Sequence, residues 1–347
     1  MDSIGNNVKL TLFGASHAPF VGCVIEGLPS GVGIDMDAVR FDLERRRAGN
    51  YGYASPRRES DVFTVESGLD GGVLTGEPLR AVFPNKAYDR SAYSPVARPS
   101  HADLAAFVKS GGKEDISGGG RYSGRMTLPL TFAGSVCRQL LEKKGITVFS
   151  HISFIGSVHD EPFDPVMTKA PKLDPFFPLV SSEKKEAMER LITETREKGD
   201  TLACGLECAA LGLPVGLGEP LFGGIESTLS RYLFMIPGLR GLSFGDIKEY
   251  GSGMNDQFTD GGLTVTNRSC GINGGMANGM PMLVSVWFRP VPSVALMQTG
   301  YDLINEKPVP FEIKGRHDTA ILPRGAVAVE AAVCLGLYDL LLDFKRN

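Results

Sequence analysis

The chain has no run of about 18 apolar residues and so no candidate membrane span. Its opening, Met1-Asp2-Ser3, has no basic stretch leading into an apolar one, and a cytoplasmic protein without a membrane partner is the expectation. Positive charge is not in excess either: 36 Lys and Arg face 40 Asp and Glu, giving a net charge of −4 and a pI near 5.8. Bulk electrostatics therefore gives no reason to expect nucleic acid, and any anion site must be local. The six cysteines (Cys23, Cys137, Cys204, Cys208, Cys270, Cys334) are scattered among mostly small or apolar neighbours, as buried reduced thiols are. Only Cys204 and Cys208 approach a ligand spacing; with no second pair beside them, no metal is expected. Nucleotide-loop signatures are also missing: no Gly-Lys-Ser/Thr ends a glycine loop, and no Gly-x-Gly-x-x-Gly follows a strand.

Glycine is what the sequence has in excess, 43 of 347 residues, about 12% against a usual value of about 7%. The glycines fall in clusters between ordinary core segments, at 111–112, 118–120, 216–218 and 271–279 and at Gly315. Glycine lets backbone approach a ligand closely, so these loops suit a bulky polar ligand held largely by main chain. With 42% hydrophobic residues the chain can bury a large core, and no Pro/Ser linker or repeat divides it, which predicts one domain over 1–347.

Hydrophobic periodicity predicts strands at Val8–Phe13, Val21–Glu26, Val62–Ser67, Leu79–Phe83, Ile146–Ile155, Leu202–Gly212, Leu263–Thr266 and Met282–Phe288. Helices are predicted at Asp35–Arg47, Met126–Lys144, Ser182–Lys198, Gly223–Phe234 and Val327–Phe344. Strands come in runs without regular alternation, which favours an α+β fold. In the first helix Met36, Val39 and Leu43 form the apolar stripe, and Arg46 lies about 700° from Val39, some 20° short of two turns, on the same inward face. An inward arginine needs an anion or a carboxylate. Arg45 and Arg47 point elsewhere and read as solvated, and a basic helix end complementing the dipole is the plain alternative for all three.

Three of the five histidines lie in turn-like contexts: Gly14-Ala15-Ser16-His17, Arg98-Pro99-Ser100-His101-Ala102-Asp103 and Gly315-Arg316-His317-Asp318. An imidazole on a turn is the usual general acid or base, and equally a partner for a turn carbonyl; three together favour a site. His151 and His159 lack such a setting and read as structural. Ser117 to Arg125, with Gly118-Gly119-Gly120-Arg121 at its centre, reads as a glycine run feeding a helix N-terminus, with free N–H groups and two arginines suited to phosphate. The glycine and amide loop Asn267 to Gly279 could wrap a flat heteroaromatic ring, or form a bulged hairpin.

Taken in order, Phe13 to Ala18, Arg98 to Asp103, Gly118 to Arg125, Gly216-Leu217-Gly218-Glu219-Pro220 and Gly315 to Thr319 resemble the signature stretches of the chorismate synthase family. The resemblance runs from about Val8 to Leu340. It departs from the family pattern at Ala15 and Ala18 (usually Glu and Gly), Ser100 (Gly), Tyr122 and Gly124, Arg289 (Lys) and Thr319 (Pro).

The resemblance implies core helices held between antiparallel sheets, a homotetramer, and 1,4-elimination of phosphate from 5-enolpyruvylshikimate 3-phosphate to give chorismate. It implies reduced FMN, with NADPH as direct reductant or as the source for a separate flavin reductase. The catalytic residues carried over are His17, polarising or protonating the flavin, His101, acid toward the leaving phosphate, and Asp318, relaying the flavin proton; His317 is read as orienting its neighbours. Flavin contacts carry over to Arg121, Tyr122, Ser123, Pro237, Gly238, Gly274, Arg289, Pro290, Val291, Pro292, Ser293 and Arg316. Arg40, Arg45, Arg46 and Arg125 are implied for substrate or NADPH. Substrate and FMN together bring about six negative charges at roughly two per phosphate; Arg40, Arg46, Arg121, Arg125 and Arg316, with Arg45 and Arg98 in reserve, supply the compensation. The rival readings are another flavin- or phosphate-dependent lyase on this scaffold, or a flavin- or phosphosugar-binding protein without turnover.

Overall fold

The computed structural model describes residues 3–47, 51, 61–85, 95–113, 117–245, 247–313 and 318–344. Alternation of apolar residues at the N-terminal end builds a first antiparallel sheet. Its strands are β1 (Ser3–Ile4), β2 (Lys9–Gly14), β3 (Phe20–Glu26), β5 (Thr64–Ser67) and β8 (Leu79–Pro84), in the order β1-β2-β3-β8-β5. In β8, Leu79, Ala81 and Phe83 are buried while Arg80 lies on the opposite face, the two-residue period of a strand covered on one side. A small sheet of β4 (Ser30–Gly33), β6 (Leu69–Asp70) and β7 (Val73–Thr75) lies beside it in sequence.

The second antiparallel sheet contains β10 (Thr147–Ile155), β11 (Val158–His159), β12 (Cys204–Leu211), β13 (Leu239–Ser243) and β16 (Met282–Phe288), ordered β11-β10-β12-β16-β13. Cys204 and Cys208 are both fully buried on β12, and all six cysteines are buried, as their apolar neighbours predict.

Between the sheets lie the core helices α1 (Met36–Arg46), α3 (Thr127–Glu142), α5 (Ile225–Leu233) and α7 (Ala326–Phe344). α3 packs on β2, β3 and β8 of the first sheet and on β10 of the second, while α7 packs on α1, α3, α5, β10 and β12. Residues 326 to 341 of α7 are buried without interruption, as required of a helix that is apolar around its whole circumference. Its closest approach to α3 is at Gly134, where a Cβ would lie 2.2 Å from that of Ala331. The α+β arrangement of helices between antiparallel sheets is the expected one.

The remaining elements lie outside this sandwich: α2 (Asp103–Lys109), α4 (Lys185–Glu197), α6 (Gly251–Met254), the hairpin β14 (Ile272–Asn273) and β15 (Met276–Ala277), and a sheet of β9 (Val96–Ala97), β17 (Gln298–Asp302) and β18 (Lys307–Phe311). The strand expected at Leu263–Thr266 does not form; only Thr264 bridges, to Phe258. Leu263 and Val265 are 47% and 62% exposed, so no layer covers the face a strand would bury there. No helix among the described residues is long and apolar enough to cross a membrane.

Candidate functional site

The turn between β2 and β3 carries His17, and Gly14 makes it possible: its φ is +88°, and a Cβ there would lie 2.2 Å from the Phe20 carbonyl oxygen. Ser16 is buried and donates its N–H to the Gly120 carbonyl at 3.0 Å, which pins the His17 turn to the glycine run. Asn85, just after β8, closes the turn from the other side. Its Nδ2 donates to the carbonyls of Ala15 (3.1 Å) and Ala18 (2.7 Å), its N–H to that of Pro19 (2.9 Å), and its Oδ1 accepts from Arg125 Nε (3.2 Å).

From Arg125 the network continues inward. Arg125 Nη1 donates to Asp61 at 2.5 Å, and Asp61 lies 3.8 Å from Arg46 Nη1. Arg46 donates from Nε to Thr127 Oγ1 (2.8 Å) and from Nη2 to the Gly124 carbonyl (3.1 Å). Arg324 donates from Nε to the Arg46 carbonyl (3.2 Å) and from Nη1 to Asp318 Oδ2 (2.6 Å). One polar chain thus runs from the His17 turn to Asp318. Among the described residues, three guanidiniums (Arg46, Arg125, Arg324) and two carboxylates (Asp61, Asp318) take part in it. Burial, then the neighbouring Arg324, hold Arg46 down at about 9, and Arg125 pushes the same way, so a bound anion would relieve this region.

The second group centres on His101. Arg98 and Asp103 form a two-pronged pair (2.7 and 2.8 Å), and the Arg98 N–H adds a third bond to the same carboxylate at 3.0 Å, closing the loop between β9 and α2. Within the loop His101 Nδ1 lies 2.9 Å from the Pro99 carbonyl, and its Nε2 3.0 Å from Ser293 Oγ. A carbonyl only accepts, so Nδ1 carries the proton and the Ser293 hydroxyl donates to Nε2. Burial, then the Arg98 cation, lowers the proton affinity of His101 below that of an ordinary histidine. A cavity of about 390 Å³ opens here, lined among others by Arg98, His101, Leu104, Tyr301 and Pro308.

Arg289 reaches this loop through Nη1, which donates to the Ser100 carbonyl at 3.0 Å, while its N–H donates to Gly238 at 3.0 Å. Gly238 has φ +90°, and a Cβ there would come within 2.7 Å of Ile321. Ser100 holds φ +60° without being glycine. Left-handed backbone costs an L-residue about 1–2 kcal/mol, partly offset by the chain entropy glycine adds to the unfolded state. Ser100→Gly is therefore expected to stabilise the fold by about 0.5–1 kcal/mol, raising the melting temperature by about 1–2 °C. Calorimetry showing a lower melting temperature would remove strain as the explanation.

The two groups adjoin through residues 201 and 202: the Leu202 N–H donates to the Thr319 carbonyl (2.7 Å), and Thr201 Oγ1 donates to the Val291 carbonyl (2.8 Å). Segment 289–293, with Pro290, Pro292 and Ser293, thereby flanks the segment that carries Asp318.

Not every expected residue joins them. Arg40 is exposed and pairs with Asp37 of its own helix, and Arg98 is held by Asp103. Arg45 is not solvated, as its helical angle suggests. It is 8% exposed, with Glu330 at 2.8 and 2.9 Å and Asp42 at 3.1 Å, so its charge is compensated internally and a substrate role falls away from it. The glycine run does not open a long helix; it is a 3-10 turn over Ser117–Tyr122, and α3 starts only at Thr127. Arg121 and Tyr122 are exposed on that turn, and Ser123 Oγ accepts the Arg125 N–H at 3.2 Å. Pro237 and Gly238 follow the C-terminal end of α5, whereas Gly274 lies by its N-terminal end, where the Ile225 N–H donates to Gly275. Nine helical residues, about 13 Å, separate those ends. Arg316 and His317 lie outside the described residues. His151 is buried between Asp160 (3.0 Å) and Glu207 (2.8 Å), a structural setting as expected, and His159 stacks on Phe154.

Asp61, Asn85 and Arg324 are the contributors that sequence reasoning passes over. No spacing marks the first two. Arg324 had a signal: it is a cation just ahead of the N-terminus of α7, where the helix dipole disfavours positive charge.

Comparison with known proteins places this geometry. Residues 8–342 match the family model of chorismate synthase. Among curated proteins, the chorismate synthase of Dehalococcoides mccartyi is 37% identical over 98% of this chain and 96% of its own length. That of Aeropyrum pernix is 37% identical over 98% of this chain and 93% of its own. A crystal structure of chorismate synthase superposes with a TM-score of 0.75 at 22% identity, covering 98% of this chain and 93% of the other, which shows the shared fold. The chain belongs to the chorismate synthase family.

Proposed function

We propose that the protein eliminates phosphate from 5-enolpyruvylshikimate 3-phosphate to give chorismate, and that it does so with reduced FMN. The observation that carries this reading is the group Arg46, Arg125 and Arg324 with Asp61 and Asp318, linked to the His17 turn through hydrogen bonds and the 3.8 Å Asp61–Arg46 ion pair. It brings three guanidiniums suited to a phosphorylated acid together with one proton-handling group at each end, His17 and Asp318.

The residues present suit a flavin mononucleotide at all but one point. Arg289 with Arg240 beside it, and the exposed Arg121, offer cations for its phosphate; the backbone at Pro237–Gly238 and the Ser123 hydroxyl suit its ring. Gly274 lies apart from them, by the N-terminal end of α5. Reduced flavin, when bound, supplies electron density that helps the C–O bond to phosphate break and takes up the ring hydrogen, with no net redox change.

The chain's own residues handle anions and protons. Arg46 and Arg125 hold the phosphate or carboxylates of the substrate. His101 keeps its resting proton at Nδ1; a dianion beside the ring raises the proton affinity of Nε2, from which the proton passes to the departing phosphate. His17 donates toward the ring system, and Asp318 receives a proton at the other end of the network. We assign flavin reduction to a separate, NADPH-dependent reductase, place the protein in the cytoplasm, and treat 1–347 as one domain, since its apolar core runs from Val8 to Leu341.

The test is anaerobic turnover. Purified protein with reduced FMN and 5-enolpyruvylshikimate 3-phosphate should release chorismate and phosphate in equal amounts. No chorismate at any flavin concentration sinks the proposal, and flavin binding without product would instead mark a binding protein.

A further inference from the structure

We infer that Arg324 is a positioning residue for the elimination: it fixes the Asp318 carboxylate relative to the end of α1, which carries Arg46. The inference rests on the relay role proposed for Asp318.

Three observations point the same way. The Arg324 guanidinium uses two donors on two different segments, Nη1 to Asp318 at 2.6 Å and Nε to the Arg46 carbonyl at 3.2 Å. A planar, rigid fork fixes the distance between its two acceptors, which a lysine, as a single flexible point charge, cannot do. The pair has access to solvent, the two side chains being 21% and 23% exposed. Pairs with solvent access add little to stability, so holding the fold together is a poor reason for it. Its place ahead of α7 makes that reason poorer still, because a cation there opposes the helix dipole.

The segment bearing the pair is anchored beside Asp318 and turns locally into α7. The Leu202 N–H binds the Thr319 carbonyl at 2.7 Å, and the N–H groups of Gly325 and Ala326 bind the carbonyls of Ile321 and Pro323, each at 3.0 Å. The hydrogen bond from Arg324 restricts rotation of the Asp318 side chain. The same guanidinium stands close enough to Arg46 to be, after burial, the main influence lowering its proton affinity. One residue thus couples the proton acceptor to the substrate-binding cation.

The experiment is a double-mutant cycle on the full chain with reduced FMN and 5-enolpyruvylshikimate 3-phosphate, using Arg324→Gln, Asp318→Asn and both together, with Arg324→Lys as a partial restoration. Small misplacements of a reacting group cost rate more than affinity, so Arg324→Gln should lower kcat by about tenfold and leave KM within about twofold. Binding of oxidised FMN, followed by flavin fluorescence, and the melting temperature of the unliganded chain should stay near wild type. Arg324→Lys should recover about a third of the lost rate, and it serves for the cycle if the glutamine variant does not fold. The double variant should be no slower than Asp318→Asn alone, because Arg324 acts through Asp318. Multiplying losses, or a rise in KM in place of the fall in kcat, overturns the inference while a slow Asp318→Asn leaves the relay standing. Wild-type turnover in Asp318→Asn removes the relay itself, and the inference with it.

Discussion

Glu330→Gln is expected to destabilise the protein by about 3–5 kcal/mol, the cost typical of leaving a buried charge without its partner. Glu330 is 2% exposed on α7. Its Oε1 accepts from Arg45 Nη2 (2.9 Å) and Ser150 Oγ (2.7 Å), and its Oε2 from Arg45 Nη1 (2.8 Å) and Arg138 Nη2 (2.6 Å). Asp42 completes the group, at 3.1 Å from Arg45 and 3.2 Å from Arg138. Two guanidiniums and two carboxylates balance, and a glutamine leaves one positive charge over in the core. Burial alone would raise the Glu330 carboxyl, but Arg45, Arg138 and Ser150 outweigh it and bring it down to about 2. A depressed carboxylate stabilises the fold above its unfolded value of about 4.3 and loses that contribution as pH falls toward 2. Wild type should therefore lose stability between about pH 4.5 and 2 through this group, and Glu330→Gln should lack that part of the slope. Urea unfolding at pH 7 and at pH 4 reads both effects. A loss under about 1 kcal/mol at pH 7 would mean that the quartet does not hold α1 and β10 to α7. Such a loss is a large share of a total stability of about 5–15 kcal/mol. It also reaches the candidate site, since Arg45 and Arg46 are adjacent: the quartet fixes the last turn of α1 and so the direction in which Arg46 leaves it.

That adjacency shows where sequence reasoning stops. The helix at the end of which Arg46 lies, and the inward direction of Arg46, follow from period and turn angle alone; that Asp35 is its cap is seen in the structure. So does the strand Met282–Phe288, and the unbroken burial of α7 follows from its composition. Arg45 defeated the same geometry, because a helix between two sheets is covered on more than one side. Its carboxylate partner Glu330 is 285 residues away, a pairing that no local spacing announces. Short elements escape for another reason: Lys307–Phe311 contains two prolines and no strand is predicted there, yet it pairs as an edge strand through its remaining backbone groups. In the site, the histidines and Asp318 stood out because imidazoles on turns are rare. Asn85 and Asp61 did not, since their roles exist only once β8, the His17 turn and α3 are brought together. Ser100 was visible as a departure from the family pattern, and its φ of +60° gives the physical sense of the glycine usual there.

His101→Ala should lower kcat by about 10²–10⁴-fold, the span associated with losing a positioned proton donor. The more discriminating result is the pH dependence of the wild type. In the free protein His101 titrates below the ordinary histidine value, so at neutral pH it is uncharged, with Nδ1–H on Pro99 and Nε2 receiving the Ser293 hydroxyl. An acid must first be protonated, and Nε2 is the only ring position left to take a proton. A dianionic phosphate brought beside the ring favours the imidazolium, which offsets the burial and the Arg98 charge that disfavour it. kcat/KM follows the free protein and kcat the substrate complex. The decline of kcat/KM with rising pH should therefore begin at lower pH than that of kcat, and both declines should vanish in His101→Ala. Ser293→Ala removes the hydroxyl that donates to the neutral ring, so it should raise proton affinity and move the kcat/KM limb upward while leaving the kcat limb in place. Coincident limbs in wild type would show that substrate binding does not alter the charge of His101. The proton for the leaving phosphate would then have to come from another group or from water.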